Sequence, residues 1–544
     1  MNRTLAQSLD TRKPHYDVIV VGSGYGGGVA ASRLSRAGRR VAVLERGREF
    51  PTGTFPSKFP ELRAEMQVTG KRLRTGTPTA LYDVRLGDDM HILVGCGLGG
   101  GSLINAGVAL RPDPRVFADP VWPGQITEDG LLDEGFRRAR AWLRPARDPE
   151  AGSRVKFQAL AKAGAAIGHA PVAPEVAVSF EDCVNPAGIR QPACTRCGDC
   201  CGGCNVGAKN TVALTYLPDA RAHGAEIFTH AKVRHVSRSA DGRWSVHIDR
   251  LDGAAVAGAT LTLSADQVIL SAGTLGTVEI LLRSRDLGLP LSDRLGQRFS
   301  ANGDIIAFGY GASVPVNGIG VGHPAKFDMQ PAVGASVSGQ IEIRDAARLD
   351  HEICIQEGAV PSSLASALPV MFVPNGRLLG ALQSLVAGVY KGPFASLQTF
   401  FAVSHDSGSG CFAMEGDRLA LAWPGAKDEP VYQRLDALLG QLVTSVGGAY
   451  VKNPLAGSVM GHQPSTAHPL GGVAMGREAA DGVVNHKGEV FAGLRSTAVH
   501  KGLHVIDGSV IPRSLGVNPL LTITALAERT MLHMAQDQAL HIGT

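Results

Sequence analysis

The segment "YDVIVVGSGYGGGVAASRLSRAGRRVAVLERG", residues 16–47, constrains the fold more than any other part of the chain. Val18 to Val21 is an unbroken apolar run, the pattern of a strand buried on both faces of a parallel sheet. It leads into Gly22-x-Gly24-x-x-Gly27. In that spacing the first glycine makes the turn, the second lets backbone amides reach a pyrophosphate, and the third lets helix and strand pack closely. The helix that follows offers unpaired amides and a positive dipole end to the same anion. "VAVLE" reads as a second strand, ending in Glu45 where a carboxylate holds ribose hydroxyls and repels a 2′-phosphate. Strand, turn, helix, strand and acid in register predict a Rossmann-type unit for a dinucleotide other than NADP. NAD and FAD both fit these residues.

Bulk properties narrow the class. Hydrophobic residues at 44% against 19% charged are ordinary for a soluble globular chain. The formal charge of +4 is spread without a basic tract, which argues against a nucleic-acid partner. No apolar run approaches the ~18 residues of a transmembrane helix. The segment before the first strand has no apolar signal-peptide core, so a cytoplasmic location is expected. In that compartment clustered cysteines are more often metal ligands or catalytic groups than disulfides.

Three later segments separate FAD from NAD. "VGCGLGGGSLINAGVALRP", residues 94–112, is a second glycine-rich loop followed by an asparagine. "DQVILSAGTLGTVEILLRS", residues 266–284, is another buried strand ending in a glycine turn. "GLHVIDGSVIPRSLGVNPLLTITALAERT", residues 502–530, reads as a strand, an Asp-Gly turn and a helix opening at Asn518-Pro519. Proline suits a first helical turn because its missing N–H has no helical partner there. Leu520, Ile523 and Leu526 would share one face of that helix.

In this order and at these distances, the segments resemble the glucose–methanol–choline (GMC) flavoprotein oxidoreductases, most nearly the bacterial cholesterol-oxidase-type branch. The resemblance runs from Tyr16 to about Gln536. It implies an α/β GMC fold: a Rossmann-type FAD-binding domain and a discontinuous substrate domain with a largely antiparallel sheet. The expected FAD domain takes residues 14–50, 85–115, 205–298 and 461–540. The substrate domain takes 51–84, 116–204 and 299–460. The implied cofactor is FAD, with Gly97, Gly100, Asn105 and Gly107 beside the flavin, Val233 by the adenine, and Asp507 matching an FAD-binding aspartate of the family.

The resemblance also names the chemistry. Oxidising an alcohol by hydride transfer needs a base for the hydroxyl proton and a polar group that fixes the oxygen. His468 in "STAHPLGG" and Asn518 in "GVNPLL" match the family's catalytic histidine and asparagine. Histidine titrates near working pH, and an asparagine amide can donate to a developing alkoxide. The dipole of the helix behind Asn518 would also favour negative charge on a reduced flavin. Glu357 in "EICIQEGAVP" is a third candidate, by similarity to a proton-abstracting glutamate of the cholesterol oxidases. Alternating Ile353 and Ile355 predict a strand that points Gln356 and Glu357 to opposite faces. Asn302 in "SANGDI" resembles a pocket residue of the same branch. The apolar stretch at 378–390 fits either a lid over an apolar substrate or a core helix. The expected substrate is a bulky apolar, sterol-like alcohol; sugar or glycoside oxidation, and a non-catalytic flavin or iron–sulfur redox sensor, are the alternatives.

"ACTRCGDCCGGCN", residues 193–205, packs five of the chain's nine cysteines into a short loop. Cys194, Cys197, Cys200 and Cys204 have the spacing of a ferredoxin run, with Asn205 where proline usually follows. An iron–sulfur cluster is the favoured expectation, passing electrons to a protein or quinone acceptor. Cys201 would be a bystander or alternative ligand, and Cys183 a further contributor. Zinc, which usually takes two separated cysteine pairs, stays open. So do a disulfide knot and an inherited loop holding no metal; that branch often carries a similar "CxxCGxC…AKNT" segment.

Overall fold

A computed structural model describes residues 4–252, 260–372, 388–452 and 463–543. The strand His15–Val21 lies between Val41–Leu44 and Thr260–Leu270 and runs parallel to both. Glu226–Phe228 extends this parallel sheet beyond Val41–Leu44. On the other side the long strand Thr260–Leu270 forks. Its first half pairs antiparallel with Trp244–Arg250, and its last three residues pair parallel with Val499–Val505. Covered on both faces, Ile19 and Val20 are completely buried, which is why the first strand reads as a solid apolar run.

A second sheet has five strands, all antiparallel, in the order Gln340–Ile343, Ile353–Gly358, Gln398–Val403, Ile305–Tyr310 and Ala449–Lys452. Helices Val155–Ala165 and Pro430–Ser445 close one of its faces, with Gly164 against Ile341 and Val443 against Gly309. The other face turns toward the loop that carries Asn518. Of the stretch at 378–390, residues 378–387 lie outside the described residues. No helix among the described residues is long and apolar enough to cross a membrane.

The C-terminal helix Leu520–Gln538 begins one residue later than expected, because Pro519 serves as its cap. Nor does it bury a single stripe: Thr522, Thr524, Glu528 and Arg529 are buried along with Leu520 and Leu526. The helix runs through the interior, so its polar residues need internal partners. Glu528 meets Arg33 of the glycine-turn helix Tyr25–Arg36 at 2.6 Å, with both side chains fully buried. Tyr216 donates a further hydrogen bond to Glu528 at 3.0 Å, and the Arg33 guanidinium lies 4.7 Å from the Trp142 ring centroid. This buried pair bolts the dinucleotide helix to the helix that follows Asn518.

Removing one partner strands the other charge in the interior. Glu528→Ala is expected to cost about 3–5 kcal/mol in a denaturant titration, whereas replacing Arg33 and Glu528 together by leucine recovers most of that loss.

Candidate active site

The first glycine motif folds as a cradle. Gly22 has φ +91°, and a Cβ there would lie 2.3 Å from the Ser271 carbonyl oxygen. A Cβ on Gly27 would lie 2.1 Å from the Gly22 carbonyl oxygen, so helix and turn touch through bare backbone. Gly24 differs: a Cβ there would meet no atom within 4 Å. The space beside its amide is open, as a bound pyrophosphate requires. Glu45 is buried, accepting from Ser23 Oγ at 2.5 Å and from the Gly47 amide at 2.7 Å. Burial pushes its carboxyl above the usual range, and these donors pull it back.

The remaining candidates for flavin contact gather around this cradle. The Gly99 amide donates to Ser23 Oγ at 3.0 Å, which brings the loop bearing Gly97 and Gly100 against the motif. Asn105 Nδ2 donates to the Tyr25 hydroxyl at 2.7 Å, at the start of the glycine-turn helix. Gly107, two residues on, accepts from the Ala177 amide at 2.7 Å. Val233 is buried on the strand Ala231–Arg238, whose first amide donates to the Glu45 carbonyl at 2.8 Å. Asp507 is buried and fully engaged, accepting from Gly273 N, Thr277 Oγ1 and Ser509 N and Oγ. The open cradle, the buried acid and the second glycine loop fit FAD.

His468 and Asn518 sit 50 positions apart in sequence, yet one short turn governs both. In Ser300–Asp304, Asn302 adopts φ +59°, and its side chain makes three bonds. Oδ1 accepts from Leu515 N at 2.8 Å and Gly516 N at 3.2 Å, and Nδ2 donates to the Val517 carbonyl at 2.8 Å. The backbone leading into Asn518 is therefore clamped by Asn302. Two residues on, Asp304 Oδ2 accepts from the Ala467 amide at 2.8 Å and lies 3.2 Å from His468 Nδ1. Thr466 Oγ1 donates to the same carboxylate at 3.2 Å and accepts from His468 N at 2.9 Å. The turn itself hangs on Asp406, which accepts from Ser300 Oγ, Ala301 N and Gly303 N at 2.7–2.9 Å. Asp304 and Asp406 were not singled out from sequence. Asp304 stands inside the quoted "SANGDI", but nothing local marks its partner as His468.

Glu357 is placed differently from its expected role. The strand Ile353–Gly358 forms as predicted and sends Gln356 and Glu357 to opposite faces. Gln356 is the one that reaches the site: its Nε2 donates to Asn518 Oδ1 at 2.6 Å. Glu357 lies on the helix-covered face, fully buried, 2.7 Å from Lys156 Nζ. Its Oε1 also accepts the amides of Ser338 and Gly339, at 2.8 and 2.7 Å. Burial pushes the Glu357 carboxyl up to about 7, against the pull of Lys156 and both amides. The two-residue period of the strand thus gives Glu357 a structural ion pair and Gln356 the contact with Asn518.

All nine thiols of the chain are free, the five of the cysteine loop among them, which removes the disulfide reading. The Arg196 amide donates to Cys194 Sγ at 3.3 Å, and the Ser336 amide to Cys200 Sγ at 3.4 Å. Burial pushes the Cys194 thiol up to about 12 and raises Cys200 as well. Among the described residues, no cysteine belongs to a set of three ligand atoms all within 4.8 Å of one another. Thiolates around one zinc would sit about 3.8 Å apart, so the loop as it stands is not a zinc cage. Lys209, from the "AKNT" segment, was missed from sequence. It is buried, and its Nζ donates to the carbonyls of Leu103, Asn105 and Cys200 at 2.7–2.9 Å. One ammonium thereby joins the flavin-side loop to the cysteine loop.

Comparison with known proteins agrees with this architecture. Residues 16–301 and 452–527 match the N- and C-terminal models of the GMC oxidoreductases, and the chain belongs to that family. It is an FAD-dependent alcohol oxidoreductase by class. A cholesterol oxidase of Mycobacterium tuberculosis is 29% identical, with 95% of this chain and 90% of the relative aligned. A cholesterol oxidase of Acinetobacter baumannii is 28% identical over 96% of this chain and 95% of its own length. The structure of a fungal aryl-alcohol oxidase shares the fold, with a TM-score of 0.61 and 18% identity over 97% of this chain and 100% of that one.

Two substitutions separate cradle from scaffold. Gly24→Ala is expected to leave the melting temperature of the flavin-free protein within about 2 °C but to lower its FAD content, because the new methyl group enters the open cradle. Gly27→Ala is expected to lower yield and melting temperature whether or not FAD is added. Asn302→Gly keeps the backbone conformation and removes three bonds. It should retain bound FAD while slowing flavin reduction by substrate about 100-fold in stopped-flow traces.

Proposed function

We propose that this protein oxidises the hydroxyl of a bulky apolar, sterol-like alcohol to a carbonyl, with FAD as hydride acceptor. The observation that carries the reading is the single turn Ser300–Asp304 holding both the His468 loop and the Asn518 loop. A base and an oxygen-fixing amide are what alcohol oxidation asks of a protein, and the scaffold spends a dedicated turn on aligning them. FAD, when bound along the Gly22–Gly27 cradle, supplies the electron sink. His468 accepts the hydroxyl proton, and the Asp304 carboxylate lies 3.2 Å from its Nδ1. Asn518 holds the substrate oxygen and donates to it as negative charge develops.

Support for an apolar substrate comes from the sheet face that Gln356 shares. Directly across the strands lie Phe401 and Ile306, both only partly buried beside the amide. The cholesterol oxidases that align over nearly the whole chain point the same way.

The cysteine loop belongs to the same reading. Cys194, Cys197, Cys200 and Cys204 would hold an iron–sulfur cluster, a one-electron outlet toward a protein or quinone acceptor. Backbone N–H bonds to two of the sulfurs and the buried Lys209 ammonium suit an anionic cluster. Burial pushes the Lys209 ammonium below the usual lysine range, and among the described residues only carbonyl oxygens are its hydrogen-bond partners.

Anaerobic mixing with sterols, long-chain alcohols and sugars tests the substrate class: a sterol or other bulky apolar alcohol should bleach the flavin, and bleaching by sugars alone would overturn the assignment. His468→Ala should slow that bleaching by about 100- to 10,000-fold while FAD stays bound. Iron and acid-labile sulfide should be found in protein purified without oxygen; none in a fully flavinated preparation would sink the cluster reading.

A further inference from the structure

The antiparallel sheet carries a line of polar side chains on the face toward Asn518, and the proposed mechanism has no use for most of them. Gln340 and Gln356 are paired across neighbouring strands, as are Glu342 and Cys354, so all four side chains share one face. They are also linked in sequence of contact. Gln340 Nε2 donates to Glu342 Oε1 at 2.7 Å. The Cys354 thiol donates to Gln340 Oε1 at 3.9 Å and accepts from Gln356 Nε2 at 3.5 Å. Gln356 Nε2 then donates to Asn518 Oδ1 at 2.6 Å.

The direction of this chain is set at its far end. Glu342 pairs with Arg344 at 2.8 Å, and an ionised carboxylate accepts hydrogen bonds but has none to give. Gln340 must therefore turn its NH2 toward Glu342 and its carbonyl toward Cys354. The thiol keeps its proton, because burial pushes it up to about 12, so it donates to that carbonyl. A sulfur that donates on one side can accept on the other, and Gln356 presents its NH2 there. The same NH2 reaches Asn518 Oδ1. Asn518 is thereby left with its oxygen used and its Nδ2 unspent: among the described residues no protein group accepts from Nδ2.

We infer that Gln356 is a positioning residue, the last link of a one-way relay from Glu342 through Gln340 and Cys354 that fixes the amide of Asn518 with its NH2 toward the substrate oxygen. The inference rests on the reading of Asn518 as the oxygen-fixing group. An amide held the other way would meet a developing alkoxide with a second oxygen. That orientation would repel the charge it ought to stabilise.

Gln356→Glu supplies the test, because its hydrogen-bonding sense depends on pH. Protonated, the new carboxyl can donate to Asn518 Oδ1 as glutamine does. Ionised, it can only accept, so it draws Asn518 Nδ2 toward itself and turns the oxygen outward. In the holoenzyme, with an alcohol that the wild type oxidises, flavin reduction by the Gln356→Glu variant should be near wild type at acid pH. It should fall about 100-fold as the carboxyl ionises, on top of the wild-type pH profile. Gln356→Leu should be slow at every pH, with FAD content and KM little changed. A Gln356→Glu profile that superimposes on the wild type, or a Gln356→Leu variant at full rate, overturns the inference. Should neither variant fold, neutron diffraction on the wild-type holoenzyme decides: deuterons on Gln356 Nε2 pointing at Asn518 support the relay, and deuterons on Asn518 Nδ2 pointing at Gln356 refute it. The same measurement stands even if no alcohol reduces the wild-type flavin, an outcome that would count against the proposed function alone.

Discussion

The carboxylate of Asp406 supports the arrangement on which the rest of the site depends. It is partly buried, and it gathers the hydroxyl of Ser300 and two backbone amides of one tight turn. Burial pushes it up to about 6, with Gly303 and Ser300 drawing it back down. A carboxylate that satisfies several N–H and O–H donors at once fixes the backbone around it more firmly than any single bond would. From that fixed turn Asn302 and Asp304 reach in two directions, one to the loop before Asn518 and the other to the loop of His468. Both loops are bonded to that turn, so the geometry of the candidate pair depends on Asp406.

Strand parity makes the second decision. Adjacent residues of Ile353–Gly358 serve different masters, and one residue of slip would exchange them. On the helix-covered face Glu357 and Lys156 form a buried pair that neutralises itself. On the open face Gln356 completes a line of amides and a thiol ending at Asn518. The sheet thus separates the Glu357–Lys156 pair from Asn518 and leaves a neutral donor beside that asparagine. For the proposed chemistry this is favourable: a carboxylate at position 356 would compete for the amide that Asn518 must present.

Lys209 links the two loops that sequence motifs described separately. Its ammonium accepts nothing and needs three oxygen partners, which it takes from the flavin-side loop and the cysteine loop together. The cysteine loop is consequently tied to the loop that carries Leu103 and Asn105, with the Lys209 side chain between them. That placement gives "ACTRCGDCCGGCN" a physical connection to the flavin site that spacing alone had not supplied.

What the sequence determined by itself was everything carried by local pattern. The glycine turn, the apolar strands, the acid at the end of the second strand and the alternation at 353–357 are short-range features, and each formed where the residues indicated. The family resemblance also marked "SANGDI" and "EICIQEG" as segments that matter, and its matched motifs named His468 and Asn518. Partner identity was beyond that reach. Asp304 meets His468, Gln356 meets Asn518, Glu528 meets Arg33 and Lys209 meets Leu103 across 100 to 500 residues of chain. A hydrogen bond leaves no periodic trace in sequence, because its two ends are fixed by how sheets and helices stack rather than by their neighbours along the chain. Only the tertiary structure could therefore decide that glutamine, and not the glutamate beside it, meets Asn518.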